Sequence, residues 1–138
     1  MGAPRQMKSL VHFERGKSNM ALKITSRDVN GVAVLALEGR IVLGEETIAL
    51  RDTVKGLLVD GKKKIVLDLR NVTMIDSSGL GAMVSAHSSA RAAGATLRLC
   101  NLGTRTNELL QMTRLLTVFE VSGSETDAVN AMSKSASA

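Results

Sequence analysis

The fold of this chain is decided by the run Ile65-Val66-Leu67-Asp68-Leu69 and by the polar turn after it, Asp76-Ser77-Ser78-Gly79-Leu80-Gly81. The run is almost continuously apolar, which is typical of a central strand covered on both faces. The turn places oxygen side chains and small residues where a helix begins, and apolar residues then recur at helical spacing toward Gly94, a predicted helix stop. A strand that leads through a turn into a helix predicts one unit of an α/β fold.

Upstream of this unit the sequence predicts a hairpin and a helix. Two strand-like runs, 22–25 and 32–37, flank Asn30-Gly31, a pair typical of a two-residue hairpin turn, and Gly39 is predicted to end the second strand. Apolar residues at offsets 0, 4, 7 and 8 from Leu50 then predict an amphipathic helix from about Glu45 to Val59.

Downstream, the alternation continues. Residues 96–100 and 118–121 are predicted strands, Thr104 is placed to cap a helix between them, and Ser124 with Asp127 opens a final helix. An initial hairpin followed by alternating helices and strands predicts an α/β domain with a mixed four- or five-stranded sheet and helices packed mainly on one face.

The length of 138 residues suits one hydrophobic core, so we expect a single domain. Residues 1–19 show no sustained periodicity and are predicted to be a flexible leader. The domain is expected over residues 20–133, and the Ser/Ala-rich end, 134–138, is expected to fray.

The composition indicates an aliphatic core in a reducing compartment. Phe13 and Phe119 are the aromatic residues, and the lone Cys100 excludes an internal disulfide and a cysteine-rich metal site. No apolar run reaches the roughly 18 residues that span a bilayer, and the first residues lack the apolar centre of a signal peptide. We therefore expect a cytoplasmic protein with no membrane span, no metal site and no cofactor.

The net charge of +5 does not by itself indicate nucleic-acid binding. Four cations and Glu14 give +3 within the first 18 residues, which leaves about +2 for the rest of the chain. That remaining part has neither a basic helix nor a set of stacking aromatic residues, so no nucleic-acid partner is expected.

The turn from Asp76 to Gly81 supports two interpretations. Asp and Ser are residue types that accept hydrogen bonds from unpaired N–H groups at a helix start, so capping alone would explain them. Gly79 and Gly81, however, each lower helix propensity by roughly 1 kcal/mol, and small residues allow another surface to approach closely. A phosphate on Ser77 would lie at the positive end of the helix dipole and add roughly two negative charges.

These residues carry a resemblance to a known family. The run from Val66 through Asp76-Ser77-Ser78-Gly79-Leu80-Gly81 to Gly94 resembles the signature of the anti-sigma-factor antagonists, the STAS domain. The similarity extends over roughly residues 21–132 and includes Leu37-Glu38-Gly39 and Leu109-Leu110-Gln111-Met112 with Phe119. The resemblance implies a STAS-like fold.

The resemblance also implies a switch. In that family an anti-sigma factor that is also a serine kinase phosphorylates the first Ser after the Asp, and a serine phosphatase reverses the modification. The unphosphorylated antagonist binds the kinase and a sigma factor is released, which implies that Ser77 is the phosphoacceptor and that the protein is not an enzyme. The implied partner-binding residues are Asp76, Ser77, Ser78, Gly79, Leu80 and Gly81, with Arg40 and Val42 in the neighbouring loop.

Two positions depart from the family pattern. Gly39-Arg40-Ile41-Val42 stands where an acidic pattern of Gly-Glu-Leu-Asp type is frequent, so this loop gains a cation that could pair with a phosphate on Ser77 if the two loops are adjacent. The alternative is that Arg40 is simply exposed. Thr113-Arg114 stands where the family often has a small residue followed by Gly, so the conformation of this turn is not predicted.

Other functions fit the sequence less well than the switch. Ser77 lacks a Gly-x-Ser-x-Gly context, and the candidate bases are His12 in the leader and His87 about ten residues along the same helix, so a hydrolase triad is not expected. The glycines lack the spacing of a nucleotide-binding loop. The alternative that remains open is a non-catalytic STAS subunit of another assembly, such as a lipid-transport complex or a stressosome-like scaffold.

Overall fold

The structure, a computed structural model, describes residues 21–137. Within this range five strands form one sheet: β1 Leu22–Val29, β2 Val32–Ile41, β3 Lys64–Ile75, β4 Thr96–Cys100 and β5 Glu120–Ser122. The α-helices are α1 Glu45–Val59, α2 Ser77–Ala92, α3 Thr104–Met112 and α4 Glu125–Ser137, and a short 3-10 helix spans Leu115–Thr117. The strand order is β1-β2-β3-β4-β5, with β1 antiparallel to β2 and the other neighbours parallel.

The mixed five-stranded sheet confirms the predicted fold class. Alternate residues of the strands point to opposite faces, because the side-chain period of a strand is two. Leu35, Leu67 and Leu99 belong to the larger core, which also takes in buried residues of α1, α2 and α3. Three helices therefore lie on one face and α4 lies on the other, as the alternating pattern predicts.

A second, smaller core lies between the sheet and α4. Val34, Val66 and Cys100 of the sheet pack there with Ala128 and Met132 of α4. Cys100 is fully buried, and burial raises the pKa of its thiol to about 12. The thiol is therefore protonated at neutral pH and acts as a small apolar core group.

Both central strands run further than the sequence predicted. β2 does not end at Gly39 but continues to Ile41, and β3 extends beyond Leu69 to Ile75. The pairing of the two strands shifts register near Gly39, which has a positive φ of 112°. This irregularity lets the pair continue through a glycine that looked like a strand end.

Smaller differences occur elsewhere. Thr104 is the first residue of α3 and makes no capping bond there, so its predicted role as a cap is wrong. The last strand is shifted to Glu120–Ser122, because the N–H groups of Val118 and Phe119 donate to the Leu115 carbonyl oxygen in the turn that follows the 3-10 helix. The Ser124 hydroxyl accepts a hydrogen bond from the Asp127 N–H at 3.1 Å, which confirms the predicted start of α4.

The open question at Thr113-Arg114 has a structural answer. Arg114 adopts φ 63° and ψ 21°, the left-handed conformation that favours glycine. The turn after α3 is thus kept with an arginine where the family pattern has glycine, at a cost of roughly 1 kcal/mol.

The ends of the chain are only partly described. The predicted leader, residues 1–19, lies outside the described residues. Helix α4 is assigned through Ser137, and the predicted fraying of 134–138 stays a prediction. No helix in the described range is long and apolar enough to cross a membrane.

Gly39 allows a test of the β2 irregularity. A Cβ at this position would lie 2.0 Å from the Ala21 carbonyl oxygen, and its positive φ strains any L side chain. Gly39→Ala is therefore expected to lower the free energy of unfolding by about 2 kcal/mol or more, measured by urea denaturation.

Gly56→Ala is the matched control, because Gly56 lies in α1 with no positive φ and with nothing within 4 Å of the place that a Cβ would take. This change should stabilise the protein by roughly 0.5–1 kcal/mol through helix propensity. Equal effects of the two substitutions would contradict the close approach at Gly39.

Candidate functional site

The segment Asp76 to Gly81 lies where β3 ends and α2 begins. Ile41 pairs with Ile75 in parallel register, so β2 and β3 end at the same edge of the sheet. The loop between β2 and α1 therefore lies beside the first turn of α2. The two loops that the sequence left as possible neighbours are adjacent.

The Asp76 carboxylate joins these two segments. One oxygen, Oδ1, accepts the Gly79 N–H at 2.7 Å and caps α2. The other, Oδ2, accepts the Leu43 N–H at 3.0 Å from the β2–α1 loop. The Asp76 N–H in turn donates to the Ile41 carbonyl oxygen at 3.3 Å. The predicted cap is confirmed, and the same side chain also fixes the neighbouring loop.

These bonds set the charge of the site. The hydrogen bond from Gly79, followed by that from Leu43, lowers the pKa of Asp76, and partial desolvation opposes this only in part. Hydrogen bonds to a carboxylate favour its ionised form. A fixed negative charge therefore lies directly before Ser77.

The two serines differ in accessibility. Ser77 is the first residue of α2 and is exposed, and its hydroxyl makes no hydrogen bond with residues 21–132, whose side chains the structure describes. Ser78 is half-buried. The next residues, Gly79 and Leu80, are buried, and Leu80 packs into the larger core. Ser77 is thus the more accessible hydroxyl of the pair.

The two glycines have different reasons to be small. A Cβ on Gly79 would lie 1.9 Å from the Ile41 carbonyl oxygen, so the close approach predicted for a partner at this glycine is made by the protein's own backbone. Gly81 is exposed, and a Cβ there would have nothing within 4 Å. Of the two, Gly81 alone is open toward solvent.

Arg40 and Val42 flank Ile41 at the end of β2. Ile41 is fully buried in the core on the α2 side, so strand alternation places Arg40 on the opposite face, where it is exposed and pairs in register with Met74. Val42 is half-buried. Arg40 therefore lies near the Ser77 loop along the backbone, but on the other face of the sheet.

Two residues of the site were not found by sequence reasoning. Leu43 contributes its N–H to Asp76 and leaves its side chain 73% exposed. Glu46 is only 8% exposed, and its Oε2 accepts the Ala21 N–H at 2.8 Å, which anchors the start of β1 to α1. The sequence feature that could have indicated Leu43 is an apolar residue directly before a glycine, Leu43-Gly44. A glutamate in the first turn of a helix gives no comparable signal.

Among the described residues no histidine lies beside Ser77 as a hydrolase triad would require, and the other candidate base, His12, lies outside the described residues. His87 lies near the far end of the helix that Ser77 begins, and its ring packs edge-on against Phe119 at 5.3 Å. Within the described range, no group of three or more His, Cys, Asp or Glu side chains is placed to hold a metal ion.

The Asp76 bonds predict a pH dependence. A lowered folded-state pKa contributes stability that is complete above the ordinary carboxyl pKa and is lost as pH falls through the folded-state value. Asp76→Asn keeps an acceptor oxygen but has no charge to titrate. The difference in urea midpoint between the wild-type protein and this variant should therefore shrink as the pH falls from 7 through about 3. A constant difference over that range would refute the electrostatic role.

Gly79 and Gly81 form a second matched pair. Gly79→Ala should destabilise the protein by about 1–3 kcal/mol because its Cβ meets backbone. Gly81→Ala should stabilise it by roughly 0.5–1 kcal/mol, since it adds helix propensity in open space. Thermal unfolding of both variants checks this, and a neutral Gly79→Ala would contradict the close backbone contact.

Comparison with known proteins agrees with this architecture. BtrV of Bordetella bronchiseptica, assigned as an anti-sigma factor antagonist, is 26% identical over 110 residues, which cover 80% of this chain and 94% of that protein. An anti-sigma factor antagonist from Mycobacterium paratuberculosis superposes with a TM-score of 0.69 at 22% identity, covering 80% of this chain and 92% of the other.

The phosphorylated form of the Bacillus cell fate determinant SpoIIAA superposes with a TM-score of 0.62 at 17% identity and covers 81% of this chain and 99% of that one. At these identities the solved structures establish the shared fold. The family model of the STAS domain matches residues 23–128, most of the chain. The protein therefore belongs to the STAS domain family.

Proposed function

We propose that this protein is an anti-sigma factor antagonist that is switched by phosphorylation of Ser77. The observation that carries the proposal is the exposed Ser77, whose hydroxyl has no hydrogen-bond partner among the described side chains. Ser77 lies on the rim formed by the first turn of α2 and the β2–α1 loop, and Asp76 joins these two segments through its hydrogen bonds to Gly79 and Leu43. The unphosphorylated protein binds an anti-sigma factor that is also a serine kinase, and a sigma factor is released. The resemblance of BtrV and the family match support this assignment.

The charge of the rim supports a switch by repulsion. A phosphoserine carries about −1.5 to −2 charges at pH 7. The Gly79 N–H, a backbone donor at the helix start, is already bonded to Asp76 and is not free for the phosphate. The new charge would add to that of the neighbouring Asp76 carboxylate and face outward, where a partner would have to desolvate it.

The fold should survive this change. Ser77 makes no side-chain hydrogen bond within the described range, and the core residues nearest in sequence, Gly79 and Leu80, lie beneath it. Phosphorylation would therefore alter the surface and leave the packing of α2 intact.

The proposed docking surface is centred on Ser77 and continues onto the adjacent loop. The residues of this surface that can contact a partner are Ser78, Gly81, Val42 and the exposed side chain of Leu43. The less exposed residues Asp76, Gly79 and Leu80 fix the shape of the rim. The 73% exposed Leu43 side chain offers this surface an apolar contact that a partner could bury.

Arg40 is proposed as an electrostatic contact of this surface. Its side chain would reach a phosphate on Ser77 only by extending around the end of β2, because strand alternation directs it to the opposite face. The chain itself supplies no phosphoryl chemistry in this proposal: the kinase adds the phosphate and a serine phosphatase removes it.

Variants of Ser77 test the switch. Ser77→Ala should bind the cognate anti-sigma kinase as the unmodified protein does, and Ser77→Asp should bind at least about tenfold more weakly, because a buried unpaired charge costs several kcal/mol. The measurement is a pull-down quantified by titration of the kinase. Ser88→Asp is the matched control, since Ser88 is an exposed serine of the same helix. Equal binding by the Ala and Asp variants would exclude the switch.

The residue assignment is tested separately. Incubation with the kinase and ATP should add one phosphate, located by mass spectrometry on Ser77, because that hydroxyl is exposed while Ser78 is half-buried. Modification of Ser78 alone would overturn the assignment. Co-purification with a lipid-transport or scaffold complex and no kinase would favour the alternative of a non-catalytic subunit.

A further inference from the structure

A groove lies toward the C-terminal end of α2, away from Ser77. This groove has a volume of about 310 Å³. It is lined by His87 and Arg91 of α2, Thr96 and Leu97 at the start of β4, and Val118 and Glu120 near β5. The rise from Ser77 to Arg91 along the helix is roughly 21 Å, so the groove is distinct from the proposed phosphorylation site.

His87 is the unusual group in this groove. The residue is only 9% exposed and packs edge-on against Phe119, and its ring nitrogens make no hydrogen bond with residues 21–132, whose side chains the structure describes. Burial, followed by the nearby Arg91 cation, lowers the pKa of His87, whereas Glu120 acts in the opposite direction. The imidazole is therefore neutral at pH 7 and offers one N–H donor and one acceptor. The ring nitrogens are not sealed from solvent, so they are accessible to a ligand in the groove.

The charges of the groove favour an anion. Glu120 is neutralised by Arg98, whose Nη1 lies 3.1 Å from the carboxylate. Arg91, one helical turn from His87, takes part in no ion pair within the described range. Because Arg98 lies outside the lining and pairs with Glu120, the guanidinium of Arg91 is the charge that the groove leaves unpaired, next to the His87 imidazole.

We propose that this groove binds a small organic carboxylate, with Arg91 and His87 contacting the carboxylate and the 41% exposed Val118 contacting a short apolar body. A volume of about 310 Å³ is at the lower end for ligand sites, which limits the ligand to a small molecule. Guanidinium groups recognise carboxylates through paired N–H donors, and the neutral imidazole adds one more donor. This proposal is independent of the proposed phosphorylation switch.

The experiment uses the full chain and the histidine ring signals in NMR spectra. The chain has two histidines, so His12→Gln assigns the His87 signals. Benzoate should shift them saturably with a Kd of about 1–10 mM, as expected for a ligand of this size. It should also raise the titration midpoint of His87, because a bound anion favours the imidazolium form. Benzamide, the neutral molecule of matching shape, should leave the signals unmoved.

Substitution of single arginines tests whether Arg91 recognises the carboxylate. Arg91→Gln should weaken benzoate binding at least about threefold, the scale of an exposed charge contact. Arg105→Gln changes the net charge equally at an exposed position of α3, outside the groove, and should leave the Kd unchanged.

Three results would overturn the proposal. The first is His87 signals that stay unmoved with benzoate at about 50 mM, well above the expected Kd. The second is equal binding of benzamide, which would remove anion recognition. The third is inorganic phosphate binding as tightly as benzoate, which would remove the role of the apolar body.

Discussion

The Asp76 carboxylate is the constraint on which the functional end of the molecule depends. It accepts one N–H from the first turn of α2 and one from the β2–α1 loop, and both bonds lie at hydrogen-bonding distance. The backbone supports the same junction, because the Asp76 N–H donates to the Ile41 carbonyl oxygen and Gly79 lies close to that oxygen. The charged cap therefore stabilises the helix and, at the same time, fixes the surface that a partner would meet.

This arrangement explains how one exposed hydroxyl could control binding. The rim is held from below by groups that point inward, namely the Asp76 carboxylate, the Gly79 backbone and the Leu80 side chain. Ser77 points outward and has no structural bond within the described range. In the proposed switch, stability depends on Asp76 and signalling on its neighbour Ser77, so a charge could be added to Ser77 without disturbing the cap.

The sequence was sufficient to predict the order of elements, the mixed sheet and the cap. Helix α1 has the predicted bounds, Glu45–Val59, because its apolar period is regular. Reasoning from sequence failed where backbone contacts decided the outcome. Gly39 looked like a strand end, and Gly79 looked like an opening for a partner. In each case the cause is a carbonyl oxygen of a distant residue, Ala21 or Ile41, which no local pattern reveals.

The proposed switch requires that a phosphate on Ser77 weakens docking to the anti-sigma kinase. The most direct measurement is calorimetric titration of the purified kinase with the protein in two forms, one unmodified and one carrying phosphoserine at position 77 alone. We expect the modified form to bind the kinase at least about tenfold more weakly, with an unchanged circular dichroism spectrum. Equal affinities for two correctly folded forms would contradict it.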